Sequence, residues 1–120
     1  MGNVKVPDLN LVMGAGRMCW DPELKRTKEG SPYMNLSIAV DRHYRDKDGA
    51  SKKDTAFVKG TLWGPSAEYA EKNLRKGAPI LYEGSLTNRE KQVEGGKPET
   101  TLEVRFLRVS PLEWPDDGKG

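Results

Sequence analysis

The 120-residue chain has room for one domain and little for a second core. Charged residues make up 32% and hydrophobic residues 35%, and the net charge is only +2, so any grip on a polyanion must come from where the cations sit. No stretch reaches the roughly 18 apolar residues of a membrane span, residues 1–7 lack the apolar run of a secretory signal, and the lone Cys19 excludes an internal disulfide or a multi-cysteine metal site.

Residues 7–20 read as a long, irregular first strand. Leu9, Leu11 and Met13 alternate there with Asn10 and Val12 before Gly14 and Gly16 interrupt. Glycines in that position predict a bend or bulge at a barrel corner. Asp21-Pro22-Glu23 stops the strand, and residues 25–32 read as a polar loop punctuated by Gly30 and Pro32. A second strand over 33–45 is cleaner, with Met34, Leu36, Ile38 and Val40 on one face and Asn35, Ser37, Ala39 and Asp41 on the other. Asp46-Lys47-Asp48-Gly49 predicts a hairpin, because Asp-Gly tolerates the positive φ of a tight turn. The third strand then returns over 55–63.

Gly64 and Pro65 open one helix, with proline pre-set for the first helical position. Ala67, Ala70 and Leu74 form its narrow apolar stripe, and Gly77 after Arg75 and Lys76 closes it. Residues 80–89 and 101–109 are the last two strands, joined by a polar loop holding Gly95, Gly96 and Pro98. This order predicts an all-β protein: a five-stranded OB-fold Greek-key barrel with one short helix between strands 3 and 4. A five-stranded SH3-like barrel competes, but a helix in that slot argues against it. The barrel is expected over residues 1–110, with 111–120 as a short flexible tail.

The third strand carries the candidate site. Val58 and Leu62 would face the core, leaving Phe57, Lys59, Thr61 and Trp63 outside. The second strand ends in Arg42-His43-Tyr44-Arg45, with Lys47 in the turn beyond. Aromatic rings hold unpaired bases by stacking, typically about 1–3 kcal/mol per base, and neighbouring cations neutralise phosphates and release counterions. Taken alone, the same residues fit an ordinary packed strand and a solvated hairpin as well. Catalysis finds no footing: His43 is the sole histidine, Ser37, Ser51 and Ser66 lack a nucleophile-elbow pattern, and no phosphate-cradling Gly-x-x-x-x-Gly-Lys occurs. No enzyme activity, metal or cofactor is expected.

Several segments in order resemble the bacterial-type single-stranded-DNA-binding protein family. Asn10-Leu11-Val12, Gly16 and Asp21-Pro22-Glu23-Leu24 are similar to its opening strand and turn, and Asn35 to Val40 to its second strand. Tyr44-Arg45-Asp46-Lys47 resembles the hairpin entry; Thr55-Ala56-Phe57 through Leu62-Trp63-Gly64 and Ala67-Glu68 resemble the third strand and helix start. Leu74 to Gly77 and Tyr82 to Leu86 are similar to the helix end and fourth strand. The resemblance implies an OB barrel that coats single-stranded DNA with little sequence preference in replication, recombination or repair. It further implies a cytoplasmic homo-oligomer, a tetramer with a dimer as the alternative; Met34, Trp20 and Val6 are candidates for the faces that pack. Carried over, Tyr44, Phe57 and Trp63 would stack bases, and Arg42, Arg45, Lys47, Lys59, Arg75, Lys76 and Arg89 would hold phosphates. Two departures stand out. The family commonly has an aromatic just past Arg89, where this chain has Glu90 and Lys91. The long linker and acidic tip ending in Pro-Phe are replaced by Trp114-Pro115-Asp116-Asp117-Gly118-Lys119-Gly120, which puts tail-mediated recruitment of partner proteins in doubt and suits a specialised or phage-encoded relative. The rival reading is an OB-fold protein-interaction module of the replication machinery.

Overall fold

The computed structural model describes residues 4–112. Of the tail expected over 111–120, Pro111 ends the last strand and the Leu112 amide donates to the Pro79 oxygen at 2.9 Å, while 113–120, with Trp114, Asp116 and Asp117, lies outside the described residues. The elements run β1 (Val12–Met18), β2 (Lys25–Arg26), β3 (Pro32–Arg45), β4 (Ser51–Trp63), α1 (Pro65–Asn73), β5 (Pro79–Lys91) and β6 (Glu99–Pro111). The sheet order is β1-β5-β6-β4-β3-β2, and a further β1–β3 pairing closes five of these strands into a barrel. The expected OB barrel is therefore present, with the helix after the third long strand.

The Asp-Gly turn fixes the longest pairing. Asp46 accepts from the Gly49 amide at 3.0 Å through its main-chain oxygen, and its carboxylate takes the amides of Asp48 and Ala50, each at 2.9 Å. From there β3 and β4 pair without slippage from Arg45↔Ser51 to Tyr33↔Trp63. The hairpin is thus longer than expected at its β4 end, which begins at Ser51 rather than at residue 55. β4 then lies parallel to β6, with Gly60 opposite Val104 and Leu62 opposite Phe106.

Alternation sends Met34, Leu36, Ile38, Leu62, Ile80, Val104 and Phe106 inward, where all are buried. Each such side chain contributes about 1.5–3 kcal/mol when fully buried. Ala67, Ala70 and Leu74 of the helix region close one end of this core, packing on β3, β4 and β6. Met34 is fully enclosed in the barrel and offers nothing to an intersubunit face, against the expectation for it.

Other expectations shift as well. β1 runs straight through Gly14 and Gly16, and the register irregularity falls instead between Glu83 and Gly84 in β5. Gly14 serves packing: a Cβ there would overlap the hydroxyl of buried Tyr82, whose ring meets Phe106 edge-on at 5.7 Å. Leu9, Leu11 and Met13 are exposed, so the inward members of this segment are Val12, Gly14, Gly16 and Met18. The polar loop over 25–32 contains the two-residue β2, paired with Pro32 and Tyr33. The helix stops at Asn73, not at Gly77, because Leu74 turns to an extended backbone and drops into the core.

Candidate nucleic-acid interface

The unbroken β3–β4 register decides which side chains share a face. Trp63, Thr61, Lys59 and Phe57 lie opposite Tyr33, Asn35, Ser37 and Ala39, all on the outer side of the barrel wall. Phe57 is 61% exposed and Trp63 41% exposed, so neither fills the core. Trp63 stacks on Tyr33 with centroids 4.9 Å apart and an interplanar angle of 30°. That partner holds the indole in place, leaving a ready platform for a further flat ring.

Three adjoining depressions run along this face. One, of about 550 Å³, is bordered by Trp20, Lys25, Asn35 and Lys59. A second, of about 560 Å³, has Tyr33 and Trp63 as its aromatic wall, with Thr61, Thr87 and Arg105 beside them. The third, of about 660 Å³, lies between Phe57, Lys59 and Lys91. Arg89 and Glu103 line all three, which makes the depressions one groove. Its floor is set by the close approach of β4 to β6: a Cβ on Gly60 would overlap the main-chain oxygen of Val104. Cations and carboxylates alternate here. Arg89 Nη1 lies 3.6 Å from Glu103 Oε1, and Asp21 and Glu23 line the first depression together with Lys25 and Lys59.

Of the residues expected from sequence, Phe57, Lys59, Trp63 and Arg89 come together in this groove. Tyr44 and Arg42 sit on the other face of the hairpin, where Arg42 lies over the Tyr44 ring at 4.7 Å and pairs with Asp54 at 2.8 Å. Arg45 and Lys47 mark the exposed hairpin end, and Arg45 donates to the Gly49 oxygen at 3.2 Å. Arg75 and Lys76 belong to the connection between α1 and β5 and line none of the three depressions. The Lys76 amide does tie to the groove's edge, donating to the Asp21 carboxylate at 2.8 Å.

Sequence reasoning missed Tyr33, Arg105 and Glu103, and it gave Trp20 to a packing face. Trp20 borders the groove, its Nε1 donating to the Asn35 oxygen at 3.1 Å. Tyr33 could have been found by counting back from the Asp-Gly turn to the partner of Trp63. Arg105 and Glu103 carry no such local signal, because a parallel β4–β6 pairing is set by the whole topology.

Farther along the same outer face, Asp41 is held below the usual carboxylate range, chiefly by the Thr55 hydroxyl that donates to it at 2.8 Å. Lys53, Arg17 and His43 add smaller favourable fields, against a modest desolvation cost. Burial alone pushes the Tyr82 phenol up. Among the described residues no group of three or more His, Cys, Asp or Glu side chains is placed to hold a metal ion.

A closed five-stranded barrel with a helix after its third long strand, and a groove of aromatic rings and cations across its wall, defines an OB-fold of the kind that carries oligomeric polyanions. The single-strand binding protein family matches residues 9–112, and the chain belongs to that family. It is 32% identical over 108 residues to "Single-stranded DNA-binding protein 2" of Chlorobaculum tepidum, covering 89% of this chain and 73% of that protein. It is 34% identical over 104 residues to a single-stranded DNA-binding protein of Deinococcus radiodurans, covering 87% of this chain but only 34% of the relative. A solved Plasmodium falciparum SSB, in complex with ssDNA, is similar in fold at a TM-score of 0.80 and 23% identity, covering 92% of this chain and 100% of that one.

Proposed function

We propose that this chain binds single-stranded DNA with little overall sequence preference, in replication, recombination or repair. The observation that carries the reading is the single exposed face on which Phe57, Lys59 and Trp63 line one groove with Arg89. Rings spaced along a strand accept bases by their π-faces, whatever the base, while Lys59, Arg89 and Arg105 draw the phosphates. Membership in the single-strand binding protein family supports it. Titration with oligo-dT, followed by tryptophan fluorescence, tests it. Quenching that weakens steeply with added salt is expected; no change at low salt would leave the protein-interaction module as the better reading.

The same proposal includes self-assembly. β1 pairs with β5 along one edge but meets β3 only at Arg17 and Met18, so its other edge from Val12 to Ala15 has no strand partner among the described residues. An open edge of this kind accepts another strand. Exposed Met13 and Leu81 on the adjoining outer face give apolar surface to cover. A homotetramer is the favoured assembly and a dimer the alternative. Light scattering that returned a monomer at working concentration would remove this part.

A further inference from the structure

Stacking and phosphate neutralisation leave the central carboxylate of the groove unexplained. Glu103 lines all three depressions, its side chain is only 19% exposed, and it lies within reach of the arginine best placed for phosphate. A negative charge there repels the sugar-phosphate backbone and competes for Arg89. Yet the second depression, which Glu103 helps to line, is also walled by Tyr33 and Trp63, and those rings suit a base. A strand that satisfies both constraints turns base edges, not phosphates, toward Glu103 and leaves its phosphates to the exposed Lys59 and Arg105.

The chemistry of the edge then matters. An ionised carboxylate only accepts hydrogen bonds. Cytosine offers its N4 amine, adenine its N6 amine, and guanine N1–H beside its N2 amine. Thymine offers a single N3–H between two carbonyl oxygens, both of which a carboxylate repels. Thr61, Thr87 and Asn35 in the same depression both donate and accept, so they suit any base. We infer that Glu103 reads the edge of the base stacked at the Tyr33–Trp63 pair and favours bases bearing an exocyclic amine over thymine. This rests on the single-stranded-DNA reading of the groove, and it adds a modest preference to an affinity that stacking and charge supply.

The test compares oligo-dC with oligo-dT on the wild type and on Glu103→Gln at neutral pH, reading Kd by tryptophan quenching. The two homopolymers differ in stiffness and self-stacking, but those differences are the same for both proteins and cancel in the ratio of ratios. Freeing Arg89 changes both affinities alike and cancels too. The wild-type preference for dC relative to dT is expected to fall by about five- to tenfold in Glu103→Gln, because the amide oxygen remains as a neutral acceptor and only the extra strength of a charged acceptor is lost. Glu103→Met, which removes the acceptor at similar length, must move the ratio the same way. Equal changes for both homopolymers would overturn the inference and leave Glu103 as a charge alone. A wild type that binds neither homopolymer would instead sink the single-stranded-DNA reading, a result distinct from failure of the base preference.

Discussion

Phe57→Ala separates ligand contact from fold more cleanly than any other change in the groove. The ring is 61% exposed, stands opposite Ala39 across the hairpin, and has no aromatic neighbour within stacking distance among the described residues. Its removal therefore costs the folded state at most about 0.5 kcal/mol, as for surface substitutions generally. That corresponds to a fall in Tm of under about 4 °C for a domain of this size. Binding is a different matter, because one base loses its stacking face, at about 1–3 kcal/mol. The Kd for oligo-dT should rise about 5- to 150-fold. Tryptophan fluorescence remains available as the readout, since Trp20 and Trp63 border the groove and are untouched. Thermal unfolding on the same sample supplies the control. An unchanged Kd would refute the assignment of this ring to nucleic acid, and a large loss of Tm with no loss of affinity would make it a packing residue. Trp63 is a poorer first choice, because it also supports Tyr33 and its loss mixes the two effects.

Lys59→Ala should make log K against log[salt] shallower by about 0.7, the worth of one phosphate contact on a single strand; a parallel line with an unaltered slope removes Lys59 from the phosphate set. Gly60→Ala should destabilise the protein by about 3 kcal/mol or more, because the new methyl overlaps the Val104 carbonyl and pushes β6 off β4; a denaturant midpoint close to that of the wild type would show that the two strands can separate cheaply. Thr55→Val should let the Asp41 carboxyl rise toward its ordinary value of 3.8, as followed by NMR titration. The folded-state value is depressed, so the stabilising share of this contact is present above 3.8 and lost as pH falls through the lower folded value. The variant should show less of that acid-side loss, and an identical acid limb would mean the hydroxyl does not hold the carboxylate.

Much of the β3–β4 hairpin was legible because strict alternation and an Asp-Gly turn are local signals. Val58 and Leu62 inward, with Phe57, Lys59 and Trp63 outward, follow from period two alone. The pairing of Trp63 with Tyr33 and of Thr61 with Asn35 needed the register, which the turn also contains. β6 was harder. Leu102 and Leu107 look like core residues in sequence but are 65% and 59% exposed, while the partner that brings Glu103 and Arg105 to the groove lies about forty positions back along the chain. Helix termination misled for a related reason: Gly77 is a good stop signal, with φ +83°, but burial of Leu74 ends the helix first. The family resemblance groups Tyr44 with Phe57 and Trp63, whereas parity sets an even-numbered residue of β3 apart from the odd-numbered face of β4.

That parity has a geometric corollary. Past Val40 the paired strands β3 and β4 leave the core and continue as a two-sided arm, with His43, Lys53 and Arg45 on one side and Arg42, Asp54 and Tyr44 on the other. A polynucleotide tracking the Phe57 side can reach Tyr44 only by rounding the arm's rim. Engagement of both sides at once therefore imposes a curved trajectory and a longer nuclease footprint than the groove's own length, whereas a short footprint would mean that Tyr44 greets a different molecule.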